Sequence, residues 1–306
     1  VVAALADSIY VVIVGRVLQG AGAISAAVTA LAADLTRDQH RTKVMAMIGS
    51  SIGLVFAASM VAAPLLYAAI GMGGIFWLTA GLAFAAIGVV VYVVPVAPPV
   101  PRAKGGRFAD VLRNGQLMRL NVGVFVLHLI QTAMWVLVPA ALVAGGNLPL
   151  PEHWKVYLPA VIVSFAVMVP AVIAAERRNK MKAVFNGAIG LLLVVQIGLY
   201  AFGQSVVALT LWLTLFFVAF NVLEAILPSW ISKIAPAHAK GTALGIYNTL
   251  QSVGLFLGGM LGGWIAQNFG SAAVNLVCAL LALTWLLLAA SMNPPARRVT
   301  PAAAAH

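Results

Sequence analysis

The sequence predicts an all-α polytopic membrane protein, and three observations carry that reading. Of 306 residues, 63% are hydrophobic and 8% charged, with a mean hydropathy of +1.04; a soluble globular chain carries about 25% charged residues. Nine apolar runs are each long enough to cross the hydrocarbon layer as a helix, which takes about 20 residues. The basic residues gather in alternate loops between those runs.

In chain order the runs cover residues 8–33, 43–69, 73–95, 119–144, 154–175, 183–203, 206–232, 240–267 and 271–292. They are continuously apolar and lack a period of two, so they read as helices rather than barrel strands. Several are long enough to tilt.

The net charge of +11 would fit nucleic acid if the cations clustered on one surface, but their placement follows topology. Arg37, Arg41 and Lys43 follow the first run, and Arg102, Lys104, Arg107, Arg113 and Arg119 lie between the third and fourth. Arg177, Arg178, Lys180 and Lys182 follow the fifth, Lys233 and Lys240 flank the loop after the seventh, and Arg297 and Arg298 are in the tail. Sixteen of the eighteen Lys and Arg residues thus fall on one side, which the positive-inside rule makes cytoplasmic, together with the C-terminus. Lys155 is on the other side and Arg16 is inside a run. The expected partner is the bilayer, not nucleic acid, and the expected state is a monomer.

A single cysteine, Cys278, excludes a disulfide framework and any CxxC metal site. Seven scattered carboxylates give no hard-metal site. HExxH and phosphate-loop patterns are missing from the sequence, and its one GxSxG match, "GSSIG" (49–53), lies inside the continuous apolar run 43–69. No enzymatic activity, catalytic residue, cofactor or metal is expected.

An ungapped offset of 199 residues lays "RTKVMAMIGSSIG" (41–53) on "KGTALGIYNTLQS" (240–252) and Gly71 on Gly270. Shared hydropathy carries this internal repeat more than identity does. Under the same offset the first residues fall at the end of the sixth run. The expectation is therefore two parallel six-helix halves, with about three helices preceding Val1. The segments are residues 1–95 as the remainder of the first half, 96–118 as a cytoplasmic connector, 119–292 as the second half and 293–306 as a tail.

Three motifs bear on the family. "GRVLQGAGA" (15–23), with Arg16, Gln19, Gly20 and Gly22, resembles the RxxQGxG motif on the fourth helix of the major facilitator superfamily. "AERRNKMK" (175–182), with Glu176, Arg177, Arg178 and Lys180, resembles the second-half copy of that family's basic loop. Asn179 takes the place of its usual Gly, a mild change because Asn tolerates left-handed backbone. "AKGTALGIYNT" (239–249) is similar to a further recurrent stretch. The resemblance implies a major-facilitator bundle of two six-helix halves and secondary transport. Its drug–proton antiporter branch usually carries a gxxxGPxxGG motif on the fifth helix. The matching stretch, "SMVAAPLLYA" (59–68), keeps Pro64 and substitutes Ser59, Ala63, Tyr67 and Ala68.

Small residues spaced by four let helices approach closely in lipid. Gly49, Gly53 and Ala57 form one ridge, and Gly254, Gly258 and Gly262 another; each serves either static packing or the rocking of the halves. In the connector, Phe108, Val111 and Leu112 share one face of a short helix expected to lie on the inner membrane surface. Tyr10, Tyr67, Trp77, Trp154 and Tyr157 near the outer side, and Tyr92 and Trp230 near the inner, read as interface anchors.

Ionisable side chains within a membrane cost about 2.5–3.5 kcal/mol even on insertion scales, and so belong in the bundle interior. Three qualify: Arg16, His128 and Glu224, the last inside "FNVLEAILPSW" (220–230). Asp34 sits at an inner end beside the basic loop. At about 1.5 Å per residue, Glu224 and His128 lie roughly 12–13 Å from the inner ends of their runs, and Arg16 about 12 Å from its outer end. A Glu224–His128 contact is thus favoured over Arg16–Glu224. Gln19, Gln131, Trp135, Asn221 and Asn248 complete the candidate substrate cavity, and Pro228 is poised to kink the helix of Glu224. Glu224 is either a proton carrier or an interhelical hydrogen-bonding group, His128 a carrier or a packing residue, and Arg16 a cavity group or an architectural clamp. The sequence favours proton-coupled efflux of an amphipathic compound across a bacterial inner membrane, with uptake symport and a non-transporting receptor as alternatives.

Overall fold

The computed structural model of the chain describes residues 1–21, 28, 31–32, 35–36, 38–95, 108–203, 205–236 and 239–293. Side chains at 21, 38–43, 45–46, 48–50, 52–53 and 57 fall outside that description. Gly22, Asp34, Arg37, the connector cations Arg102, Lys104 and Arg107, and the tail arginines Arg297 and Arg298 lie outside the described residues, as do the surroundings of Arg41, Lys43, Gly49, Gly53 and Ala57.

Among the described residues every regular element is helical. A short 3-10 turn, Val2–Leu5, leads to α1 (Ile9–Ala21), α2 (Asp38–Tyr92), α3 (Phe108–Leu112), α4 (Gly115–Ala144) and α5 (Trp154–Arg177), the last preceded by a second turn at Leu150–Glu152. Then come α6 (Met181–Phe202), α7 (Val206–Ile234) and α8 (Lys240–Ala290). Six described helices are long and apolar enough to cross a membrane.

Two of these elements are too long to be single spans. At 55 and 51 residues, straight helices would run roughly 80 Å, well over twice the hydrocarbon thickness. Each is broken by one glycine, Gly71 (φ 65°, ψ −177°) in α2 and Gly270 (φ 83°, ψ 167°) in α8. That region of backbone space is open to glycine almost alone. The breaks fall between runs 43–69 and 73–95, and between 240–267 and 271–292, as the hydropathy predicts. Gly71 and Gly270 are also the pair related by the 199-residue offset, so the repeat read from hydropathy recurs as backbone geometry.

The chain divides into two compact units, Val1–Pro101 and Arg102–His306. In the first, the Val2–Leu5 turn packs on α1 and α2. Gly15 permits this, since a Cβ there would lie 2.7 Å from the backbone nitrogen of Ala3. In the second unit α4 packs mainly on α8 and also on α7, α5 packs on α7, and α6 packs on both α7 and α8. Leu117, Leu120, Val124 and Leu127, spaced by three and four, bury one face of α4 completely.

Local sequence sets the helix ends. The Asn114 side chain accepts from the backbone N–H groups of Gln116 and Leu117 at 3.0 and 3.2 Å, and Ser205 caps α7 through Ala208 N–H at 3.2 Å. Such caps satisfy donors that the first helical turn leaves without partners. Asn114→Ala should lower stability by about 1 kcal/mol while Asn114→Asp retains it; a thermal melt in detergent reads the difference. The α5–α6 turn closes on Asn179 at φ 54°, the left-handed conformation its residue type tolerates, with Glu176, Arg177, Arg178 and Lys180 exposed around it. Arg119 at the start of α4 donates to the Ser291 carbonyl at the end of α8 (3.4 Å), so these two ends lie at the same side of the unit.

Some expectations change. Val111 is fully buried and does not share the fate of exposed Phe108 and Leu112, because α3 packs on α4 and α8. Tyr157 and Trp230 are interior residues at 4% and 2% exposure rather than interface anchors. Tyr157 stacks on Trp135, and Trp230 lies 4.8 Å from Phe185 between ring centroids. Position along a run gives depth; the helix face, set by the neighbours, decides burial. The α7 helix continues through Pro228 as one element to Ile234, and α2 likewise contains Pro64. The ridge Gly254, Gly258 and Gly262 lies along the α4 backbone at Phe125, Leu129 and Ala133, so its spacing serves packing inside the second unit.

Candidate functional site

The depth estimate that pairs Glu224 with His128 has a direct counterpart in space. On α7, Phe216, Phe220 and Glu224 recur every four residues and share one face. On α4, His128 faces them: its Nε2 lies 3.5 Å from Glu224 Oε2, and its ring meets the Phe220 ring edge-on at 5.6 Å between centroids. His128 is 3% exposed. The Glu224 side chain is 36% exposed, yet its Oε2 is buried and has no hydrogen-bond partner among the described residues. One carboxylate oxygen thus points into the helix contact while the rest of the side chain remains accessible.

Two further contacts define the ring. His128 Nδ1 is 2.9 Å from the Val124 carbonyl one turn back. A carbonyl only accepts, so Nδ1 carries the proton. His128 Nε2 is 2.8 Å from the amide nitrogen of Gln251 on α8, and Gln251 also interacts with the Glu224 carboxylate. Tyr247, one turn before Gln251, is buried, and its hydroxyl has no hydrogen-bond partner among the described residues; it lies within electrostatic reach of Glu224. Pro228 has no N–H to return to the Glu224 carbonyl, which leaves that carbonyl without its usual helical donor.

Beyond His128 along α4, Gln131 and Trp135 border a narrow recess closed by Tyr157, Leu213, Phe216 and Phe217. The Trp135 and Tyr157 rings stack 5.1 Å apart and 6° from parallel. Phe217 meets Tyr157 edge-on at 6.4 Å. The Tyr157 hydroxyl is buried without a hydrogen-bond partner among the described residues. An aromatic wall with sparse polar groups therefore runs from this recess through Phe216 and Phe220 to the His128–Glu224 pair, the usual composition of a small-molecule site.

The other candidates separate. Asn221 donates to Ser164 Oγ at 2.7 Å, and Ser164 in turn donates to the Val161 carbonyl at 2.6 Å. Its amide ties α7 to α5. Asn248 is exposed on α8. In the first unit, Arg16 donates to Gln19 at 2.5 Å, and Gln19 lines a cleft with Val2, Gly15, Phe76 and Ala80. Gly20 has open space beside its Cα. Among the described residues no three His, Cys, Asp or Glu side chains gather to hold a metal ion.

The sequence profile of the Major Facilitator Superfamily matches residues 1–259 and again 160–306, together the whole chain. The chain belongs to the major facilitator superfamily. Among its relatives, the inner membrane transport protein YajR of Escherichia coli K12 is 45% identical over 300 residues, 96% of this chain and 66% of that protein. Uncharacterized transporters of Buchnera aphidicola subspecies from Acyrthosiphon pisum and Schizaphis graminum are 28% and 29% identical, over 84% and 92% of this chain and 67% and 73% of their own lengths. The chain thus spans about two thirds of the E. coli relative (66%).

For this superfamily member, sequence reasoning missed Gln251, Tyr247 and Tyr157. A signal for Gln251 was present: it stands three residues before Gly254, on the face of the glycine ridge, and a polar side chain on a tightly packed face needs a partner across it. Tyr247 sits one further turn back on the same face. Nothing in the sequence marked Tyr157, because its partner Trp135 is on another helix.

Proposed function

We propose that this protein is a secondary transporter that moves a small amphipathic organic compound across a bacterial inner membrane by proton-coupled alternating access, acting in efflux in the manner of the drug–proton antiporter branch. The apposition of His128 and Glu224 at 3.5 Å, inside an apolar helix contact, is the observation that carries the reading. Ionisable groups in a membrane are expensive and mark proton or substrate paths. A carboxylate and an imidazole side by side can take a proton from one side and release it to the other. The adjoining aromatic wall with Gln131 and Trp135 has the apolar, sparsely polar composition of a substrate-binding surface. Asn248 is the proposed polar contributor from α8, and Arg16 and Gln19 are proposed polar groups of the first unit. The E. coli relative, named an inner membrane transport protein, supports the location, and family membership supports transport over enzymatic chemistry.

The test is transport in proteoliposomes carrying an imposed pH gradient, with a panel of cationic and neutral amphiphiles. The expected result is substrate-dependent collapse of the gradient, with the compound moving against the direction of proton flow. Movement of compound and proton in the same direction would replace efflux with uptake symport. Tight binding with no flux would replace transport with a receptor role.

A further inference from the structure

We propose that Gln251 is a positioning residue that caps the proton-accepting nitrogen of His128, so that the ring can keep a proton there only when the Gln251 amide turns over. The inference deepens the transport reading above and rests on it for its consequence, though not for its chemistry.

The argument starts from hydrogen-bond bookkeeping. Val124 O accepts from His128 Nδ1 at 2.9 Å, which places a proton on Nδ1. The Gln251 amide nitrogen, 2.8 Å from Nε2, only donates, which makes Nε2 an acceptor. Both contacts are satisfied together by one species, the neutral ring with its proton on Nδ1. Glu224 Oε2, at 3.5 Å from the same Nε2 and without a hydrogen bond among the described residues, waits beyond hydrogen-bond range as a second acceptor.

A proton arriving at Nε2 converts this arrangement. Nε2–H would then face an amide N–H, two donors against each other. The conflict is relieved when the amide rotates to offer its oxygen, or when the proton passes from Nε2 to Glu224 Oε2, returning the ring to the neutral form. In either case one proton is gained by the pair; in the first the Gln251 N–H···Nε2 bond is exchanged for Nε2–H···O, and in the second it is restored. Of the elements packed on α4, α7 contributes Glu224 as the titratable group facing this point, and α8 contributes Tyr247. The short α3 carries Asp110 at the inner end, about 20 Å or more away along the helix.

Gln251 is suited to this task by what surrounds it. One turn on, Gly254 and Gly258 bring α8 against the carbonyls of Phe125 and Leu129 on α4. The Gln251 main chain is therefore held close to that of His128, and its side-chain amide can turn over without moving that backbone. The glycine ridge that looks like packing alone also positions the amide.

Nitrogen NMR tests this on the 15N-labelled protein in nanodiscs, with His128 assigned by its loss in a His128→Gln variant among the five histidines of the chain. The neutral ring should carry its proton on Nδ1 and show a scalar coupling across the N–H···N bond to the Gln251 amide nitrogen. That coupling should vanish as the ring becomes charged. In Gln251→Leu the Nε2 resonance should move to the position of an unbonded acceptor, while Glu224→Gln keeps the Nδ1–H tautomer. A neutral wild-type ring with its proton on Nε2, or one without the coupling, overturns the proposal using the wild type alone. Transport is read separately on the same preparations. If the coupling is present but Glu224→Gln drives transport as well as wild type, the proton-coupling reading fails and the placement of Gln251 stands.

Discussion

Glu224→Gln should abolish proton-driven transport, leaving gradient collapse at the level of liposomes without protein, while substrate exchange without a gradient continues. The reasoning is one of chemistry and space. Gln has nearly the shape of Glu and can still hydrogen-bond Gln251, but it has no carboxylate to carry a proton. Glu224 Oε2 faces His128 at 3.5 Å and has no hydrogen-bond partner among the described residues, so the substitution removes the proton acceptor while the Gln251 contact can persist. Retained exchange separates lost coupling from lost folding, since an unfolded variant would show neither. Counterflow in liposomes measures exchange and a pH-sensitive dye measures gradient collapse. If Glu224→Gln still collapses the gradient at the wild-type rate, Glu224 is an interhelical polar contact and the coupling acid lies elsewhere.

The second large effect is on stability. Gly258→Val should destabilise the protein by about 3 kcal/mol or more, because overpacking a fitted contact forces backbone shifts. A Cβ at position 258 would overlap the Leu129 carbonyl oxygen and approach Leu129 Cα at 2.8 Å. Both neighbours are main chain in mid-helix, so no rotamer change relieves the clash. Gly263→Ala is the internal control: an added Cβ there meets nothing within 4 Å, and Ala at a helical glycine should stabilise by about 0.5–1 kcal/mol. Thermal melting in detergent, followed by tryptophan fluorescence, compares the two. Equal melting temperatures for Gly258→Val and Gly263→Ala would remove the close α4–α8 contact from the account. Because Gly258 lies two turns from Gln251, Gly258→Ala should also disturb the His128 resonance.

What could be read in advance divides along a physical line. Periodicity and hydropathy are local properties, so helix positions, the paired breaks at Gly71 and Gly270, and the depth match of His128 and Glu224 were all legible from residue spacing. The glycine ridge was legible as a surface but not as a destination. Gln251 stood in plain view as a polar residue on that surface, yet its role follows from the partner, and the partner is set more than a hundred residues away in the chain. Tyr157 and Trp230 show the same limit. Their distance from a span end was readable, and the direction in which their rings point was not.

The sequence by itself determined that this is a helical membrane protein with an internal repeat, and which ionisable groups its apolar runs enclose. Those follow from the cost of placing unpaired backbone and charge in hydrocarbon, which every segment must meet on its own. Only the tertiary structure decided which of those groups meet and which polar side chain stands between them. In lipid, helices are not sorted by hydrophobicity but by close packing and interhelical hydrogen bonds, and both are properties of two surfaces at once.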